Sequence, residues 1–255
     1  MKKLIAILLF LPFLSNAQSL IGGKNVIKGN LSAYALGNYG LTYERKILPH
    51  ITLSLGVSKM PSRSIPFRGE IQSLSQSSVI DYENSRVANL TITPELRFYV
   101  LGAMRGFYLA PYARYSSMDL FVPLKYSNSS SNSLDRKADF SGTITAMSGG
   151  LMLGTQHQLF KKVVIDIWIL GAHYGSAHGD INARYTPTDS NPNSETSKTE
   201  RMSILKGINS LNPPLVKISN PTVTQDDNNH GNAHFIVDGP WAGIRAVGIN
   251  VGIRF

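Results

Sequence analysis

Cysteine is absent from the 255 residues, which excludes disulfides, thiolate metal ligands, cysteine nucleophiles and lipid attachment at an N-terminal cysteine. Charge is scarce as well: 16% of the residues are Asp, Glu, Lys or Arg, against roughly a quarter in ordinary globular domains. Past residue 18 no apolar run approaches the ~20 residues that a membrane-spanning helix needs. With 42% hydrophobic residues and so little charge, apolar and uncharged polar residues must be interleaved finely. Such a composition speaks against disorder and collagen-like order. The net charge is +9, but the lysines and arginines are scattered and form no block or helical stripe. Nucleic acid is therefore not the expected partner, and phosphate-rich lipid head groups are the better counter-charge.

What is present begins with an export signal. Lys2 and Lys3 precede an apolar stretch from Leu4 to Leu14, and Ser15-Asn16-Ala17 ends in a small residue before Gln18. Residues 1–17 read as a cleaved signal peptide, because the apolar run is too short to anchor the chain as a helix. Residues 18–255 form the mature domain.

That domain alternates apolar and polar residues with period two, the mark of strands with two unlike faces. Ile51, Leu53, Leu55 and Val57 oppose Thr52, Ser54, Gly56 and Ser58. Leu90, Ile92, Pro94, Leu96, Phe98 and Val100 oppose Asn89, Thr91, Thr93, Glu95, Arg97 and Tyr99. Phe107, Leu109, Pro111, Ala113 and Tyr115 oppose Tyr108, Ala110, Tyr112, Arg114 and Ser116. At the end, Trp241, Gly243, Val247, Ile249, Val251, Ile253 and Phe255 share one face. Residues 24–36, 39–47, 140–159 and 163–174 supply further candidates, about eight in all. The alternating segments quoted before them are about the 9–11 residues of a tilted bilayer-crossing strand.

Connection lengths give a second signal. The turns at 48–49, 102–106 and 160–162 are tight, whereas 61–87, 125–139 and 175–239 are long and polar. Only the hairpin at Gly37-Asn38 is short at both ends. Short connections at one rim and long ones at the other are the habit of outer-membrane barrels. The expected fold is all-β, an eight-stranded antiparallel transmembrane barrel with long extracellular loops, above all 175–239. A soluble barrel with its apolar face inside is the competing reading. The polar face is rich in Gly and Ser, aromatics such as Tyr39, Phe98, Phe107, Tyr115 and Trp241 stand near strand ends, and Phe255 closes the chain on the apolar face. These three features favour the membrane. Within 175–239, Met202, Leu205 and Ile208 suggest a helix over 197–211 capped by Thr199 and stopped by Pro213-Pro214. A hairpin turning at 226–231 follows.

The ending, with Gly239-Pro240-Trp241-Ala242-Gly243-Ile244-Arg245, resembles a family of small uncharacterised outer-membrane β-barrels of Gram-negative bacteria, in the OmpA/OmpX-like eight-stranded class. Residues 30–47 with Tyr43-Glu44-Arg45 look like its opening hairpin, and residues 106–112 like its fifth strand. The resemblance implies that Phe255 is part of the signal read by the barrel-assembly machinery. It carries no functional site with it.

A membrane barrel would turn Lys28, Glu44, Lys46, Glu95, Arg97, Arg114, Asp166 and Arg254 inward. Tyr34, Tyr99, Tyr108, Tyr112 and Trp168 would fill the bore beside them. Buried charges of both signs must pair, so the expected role of this cluster is structural. His173, Ser176, His178 and Asp180 offer the residue types of a lipid-modifying hydrolase, with nothing in the sequence to bring them together. His230 and His234 would suit a metal only on a helix, and their surroundings read as a turn. No enzyme activity, metal or cofactor is expected. The expected partners are outer-membrane lipid, the assembly machinery, and an envelope protein or surface ligand at the long loops. A lipid-modifying enzyme and an accessory of an export or assembly complex are the alternatives.

Overall fold

Period-two patterning becomes one antiparallel sheet. The computed structural model describes residues 23–75, 78–126, 136–159, 162–211, 217–226 and 230–255. The expected signal peptide, the Ser/Asn run with Asp135, and Pro213-Pro214 lie outside these. Among the described residues the strands are β1 (Asn25–Asn30), β2 (Tyr39–Leu48), β3 (Ile51–Ser64), β4 (Arg86–Tyr99), β5 (Gly106–Tyr126), β6 (Arg136–Leu159), β7 (Val163–Tyr185), β8 (Lys217–Gln225), β9 (Gly231–Arg245) and β10 (Gly248–Arg254). The helices are α1 (Leu31–Ala35), α2 (Arg68–Ser75) and α3 (Glu195–Ser210). None of them is long and apolar enough to cross a membrane.

Strands β1 to β7 pair in sequence, and β10 pairs with both β7 and β1, so eight strands close into a ring. β8 and the upper part of β9 lie beyond the expected eight and belong to a taller wall: β9 pairs with the upper part of β7, from Gly171 to Tyr185, and β8 pairs with β9. The lower end of β9, from Trp241, and β10 are one expected strand broken at Ala246-Val247. The break shifts the phase by one residue. Trp241, Gly243 and Arg245 face the interior below β8, while Gly248, Asn250 and Gly252 face it lower down. Trp241 and Gly243 therefore do not share a face with Ile249 and Ile253, and Trp241 is no girdle residue. The Trp168 indole N–H donates to the Ala246 carbonyl at 2.7 Å, which uses the backbone that the break releases.

A β-bulge at Ile169 makes the matching shift in β7, so that Ile169 and Leu170 both point outward. Where Trp168 crosses the interior, only glycine fits opposite: a Cβ on Gly248 would lie 2.0 Å from the indole.

The first hairpin departs from expectation because Asn30 caps a helix, its side-chain oxygen accepting from the Ala33 N–H at 2.9 Å. Tyr34 consequently leaves the interior and donates to the Gly40 carbonyl at 3.0 Å. At the rim of tight turns Met104 folds inward against Val26 and Val164 and is 1% exposed. Phe255 closes the same rim, its N–H donating to the Asn25 carbonyl at 2.9 Å.

The region 175–239 is largely regular structure. It holds the last third of β7, then α3, then the hairpin of β8 and β9. The helix and hairpin fall where the sequence places them, except that the N-cap is Ser194, accepting from the Ser197 N–H at 3.1 Å, and not Thr199. Ile204 and Ile208 of α3 cover an apolar face made by Phe140, Ile144, Ile181 and Phe235.

Polarity inverts along the tall strands. On β5 the outward residues run from Phe107 through Leu109 to Tyr115, then change to Ser117 and Asp119. The inward residues run Tyr108, Tyr112, Arg114, Ser116, then Met118, Leu120 and Leu124. On β6 the outward change lies between Met147 and Thr145, and on β7 between Tyr174 and Ser176. In the sheet register Tyr115 stands beside Met147, and Met147 beside Ser176, so the change occurs at one level. Below it the ring is apolar outside and polar inside; above it the wall is polar outside and apolar inside.

Candidate functional site

Inside the ring, alternation on β1, β2, β4 and β7 aims Lys28, Glu44, Glu95, Arg97 and Asp166 at a common centre, each at most 4% exposed. Lys28 Nζ donates to Glu44 Oε2 at 2.5 Å and to Asp166 Oδ2 at 2.6 Å. Arg97 bridges the other side, 2.8 Å from Asp166 Oδ2 and 2.6 Å from Glu95 Oε2. Arg245 reaches the remaining Glu95 oxygen at 3.0 Å. The remaining Glu44 and Asp166 oxygens accept from hydroxyls, Thr52 and Tyr99 on Glu44 and Tyr108 on Asp166, all at 2.7 Å. Gln156 accepts from Lys28 at 3.0 Å. Three cations thus meet three carboxylates. Placing charges out of water costs several kcal/mol each, and only this degree of pairing offsets the penalty.

Aromatic rings pack against the network. The Arg97 guanidinium lies over the Tyr108 ring at 4.6 Å, and Tyr99 packs on Tyr108 with centroids 5.2 Å apart. A Cβ on Gly154 would lie 2.4 Å from the Tyr108 hydroxyl, so glycine there is what lets the ring cross the bore.

One layer higher stand Arg114, Tyr112 and His173. The Arg245 and Arg114 guanidinium carbons are 5.3 and 6.0 Å from the Tyr112 ring centroid, and the Tyr112 hydroxyl is 3.4 Å from His173 Nδ1. Arg114 makes no ion pair among the described residues, and its buried Nε has no hydrogen-bond partner. It lines two cavities, one of about 270 Å³ with Thr93, Glu95, Arg97 and Arg245, the other of about 240 Å³ with Ser116, His173 and Trp241.

Of the eight charged residues expected inside, Lys28, Glu44, Glu95, Arg97 and Asp166 meet in the network and Arg114 stands above it. Lys46 and Arg254 do not join. Lys46 is partly exposed beside the irregular end of β2, and Arg254 donates to the Gly23 carbonyl at 2.5 Å and to Gln158 at 2.6 Å. Both sit at the rim, where the ring ends and water competes.

A model described as "Protein of unknown function (DUF3575)" matches residues 4–207. The chain belongs to the DUF3575 family. Among curated proteins nothing matches. The crystal structure of the outer membrane protease OmpT from Escherichia coli is similar over 91% of this chain and 93% of that one, with 9% identity and a TM-score of 0.34.

The match ends inside α3, so Arg245 lies beyond it. Arg245 and Gln156 are the network members that the sequence reading missed. Arg245 stands among exposed apolar residues, and only the phase break at Ala246-Val247 turns it inward. Gln156 lies on a strand whose faces are masked by glycines; its spacing of two from Gly154 and Met152 was the available signal.

The Ser, His and Asp types separate by strand alternation in this DUF3575 chain. His173 faces inward, whereas Ser176, His178 and Asp180 face outward and exposed. His178 Nδ1 lies 2.5 Å from Asp238 Oδ1, and His234 Nε2 lies 3.4 Å from Asp180 Oδ1. Asp238 attracts a proton to His178 and raises its pKa. No hydrogen bond joins Ser176 to a histidine among the described residues. His230 lies at a turn and His234 on β9, so the helical spacing required for a metal pair does not arise.

Proposed function

We propose that the protein is an outer-membrane β-barrel of eight spanning strands, of the OmpA/OmpX-like class, with a plugged lumen and a non-catalytic structural or binding role. The observation that carries this reading is the polarity reversal at Tyr115, Met147 and Ser176. A belt of Ile, Leu, Val and Phe, with Leu41, Leu53, Leu151 and Ile253 each more than half exposed, surrounds a charged interior. Water would penalise that arrangement on both faces, since large contiguous apolar surfaces seek a partner. Lipid rewards it, and the ring leaves no spanning strand edge unpaired. From Phe107 to Tyr115 the belt on β5 is about nine residues tall, the length a tilted strand needs.

Both ends of the ring's chain meet at the rim of tight turns, which this reading places in the periplasm. Phe255 is exposed there on the belt side, where the assembly machinery would meet it. The tall wall of β5, β6, β7, β9 and β8, packed by α3, then rises outside the cell. Its polar outward face and its edge strand β8 are where an envelope protein or surface ligand would bind.

Refolded protein inserted into planar bilayers is expected to give no steady solute-sized conductance, because the charge network and Tyr99, Tyr108 and Trp168 fill the bore. Stable single-channel steps from the wild-type chain would make it a pore and contradict this reading.

A further inference from the structure

We infer that the upper end of the lumen is a binding site for a small oxyanion, phosphate-like in size, held by Arg114 where it lines two cavities, with Arg245 beside it in one and His173 in the other. The inference rests on the barrel reading, since the cost of an unpaired charge is large only where water and screening ions are excluded. Lys28, Arg97 and Arg245 each have a carboxylate within 3.0 Å. Arg114 has none. The acid that shares its cavity, Glu95, already gives one oxygen to Arg97 and the other to Arg245. Water could satisfy the hydrogen-bonding capacity of Arg114, but it cannot neutralise the charge.

The surroundings have an anion's complement. Among the described residues the buried Arg114 Nε has no partner and so is available to donate; Ser148, beside Arg114 in the β5–β6 register, also has a buried Oγ without a partner but lies outside both cavities. His173 lines the 240 Å³ cavity with Arg114, and Arg245 lines the 270 Å³ cavity with it. Tyr112 fixes this geometry from the middle, its ring under Arg245 and its hydroxyl toward His173. The guanidinium fork suits phosphate oxygens, and charge-assisted hydrogen bonds are the strong ones. Arg114 is shared by both cavities, so a ligand in either touches it.

The test uses the full mature chain refolded in maltoside micelles, which carry no phosphorus, with the gel-mobility difference between unheated and boiled samples as the check that the barrel has closed. Inorganic phosphate is titrated against thermal unfolding at constant ionic strength set with chloride. In a second arm phosphatidylglycerol is mixed into the micelles. A saturable rise in melting temperature in the first arm assigns a soluble oxyanion; a rise in the second arm alone assigns a lipid head group. In either case Arg114→Gln should weaken the effect at least about ten-fold, the loss of one or more charge-assisted hydrogen bonds. Arg114→Lys should weaken it less. Without ligand, Arg114→Gln should be at least as stable as wild type, because it removes a charge that the chain leaves unpaired. The inference is overturned if neither probe exceeds chloride, if Arg114→Gln responds like wild type, or if Arg114→Gln fails to close while Arg114→Lys closes. A chain that folds in water without detergent overturns the barrel reading instead, and a closed barrel indifferent to both probes overturns the inference alone.

Discussion

Glu44→Lys is expected to destabilise the folded protein by about 3–5 kcal/mol or to prevent closure, the scale for breaking a buried ion pair. Glu44 holds Lys28 at 2.5 Å and accepts from Thr52 and Tyr99 at 2.7 Å. Reversal would place a further cation beside Lys28 and Arg97 and strand both hydroxyl donors. The control is Asp189→Lys. Asp189 lies before α3, where it accepts from the Asn191 N–H at 3.0 Å, and that hydrogen bond holds its carboxyl below the usual range. In such a partly exposed loop position, with no ion pair to break among the described residues, reversal should shift the unfolding midpoint little. Equal shifts for the two variants, measured by urea titration of the compact gel band, would contradict the interior assignment.

Leu151→Arg should cost about 2–4 kcal/mol in lipid vesicles, the price of an arginine on the lipid face near the bilayer midplane. Leu151 is 56% exposed and lies midway down the β6 belt, paired with Pro111 and Ala172. Thr143→Arg, on the same strand and the same face but above the reversal level, should be nearly neutral. Its hydroxyl donates to Asp119 at 2.7 Å, and an arginine there has the same acid within reach. The two positions differ chiefly in depth, so the contrast isolates lipid from geometry. Equal costs in vesicles would mean that the belt faces something other than lipid.

The ring halves of the strands are legible because alternation alone distinguishes their faces: Glu95, Arg97 and Tyr99 against Leu96 and Phe98 admit one arrangement. The upper halves are not, for a physical reason. At Tyr115 the apolar residues pass from odd to even positions, with Met118, Leu120, Val122 and Leu124 now inside. A phase change of this kind reads as the end of a strand, although the backbone runs on to Tyr126 and only the polarity of the two faces changes. The same effect made the upper part of β7 look like loop. Breaks in pairing, as at Ala246-Val247 and the Ile169 bulge, depend on partners far along the chain, so Trp241 and Arg245 were assigned to the wrong face or missed. The charged centre was largely legible, since Lys28, Glu44, Glu95, Arg97 and Asp166 fall on alternating faces. Which of the inward charges pair was not: Lys46 and Arg254 differ from them only in height along the ring.

Because the chain has no cysteine, single cysteines can carry nitroxide labels one at a time along the outward face of β6, at Ser141, Thr143, Thr145, Met147, Leu151 and Leu153. Collision rates with oxygen, which concentrates in lipid, and with a water-soluble nickel chelate then report what each position faces in reconstituted vesicles. In a membrane-spanning ring Leu151 and Leu153 should be reached by oxygen and shielded from nickel, Ser141 and Thr143 should show the reverse, and the crossover should fall between Thr145 and Met147. Nickel reaching Leu151 as freely as Thr143 would contradict a membrane-spanning barrel.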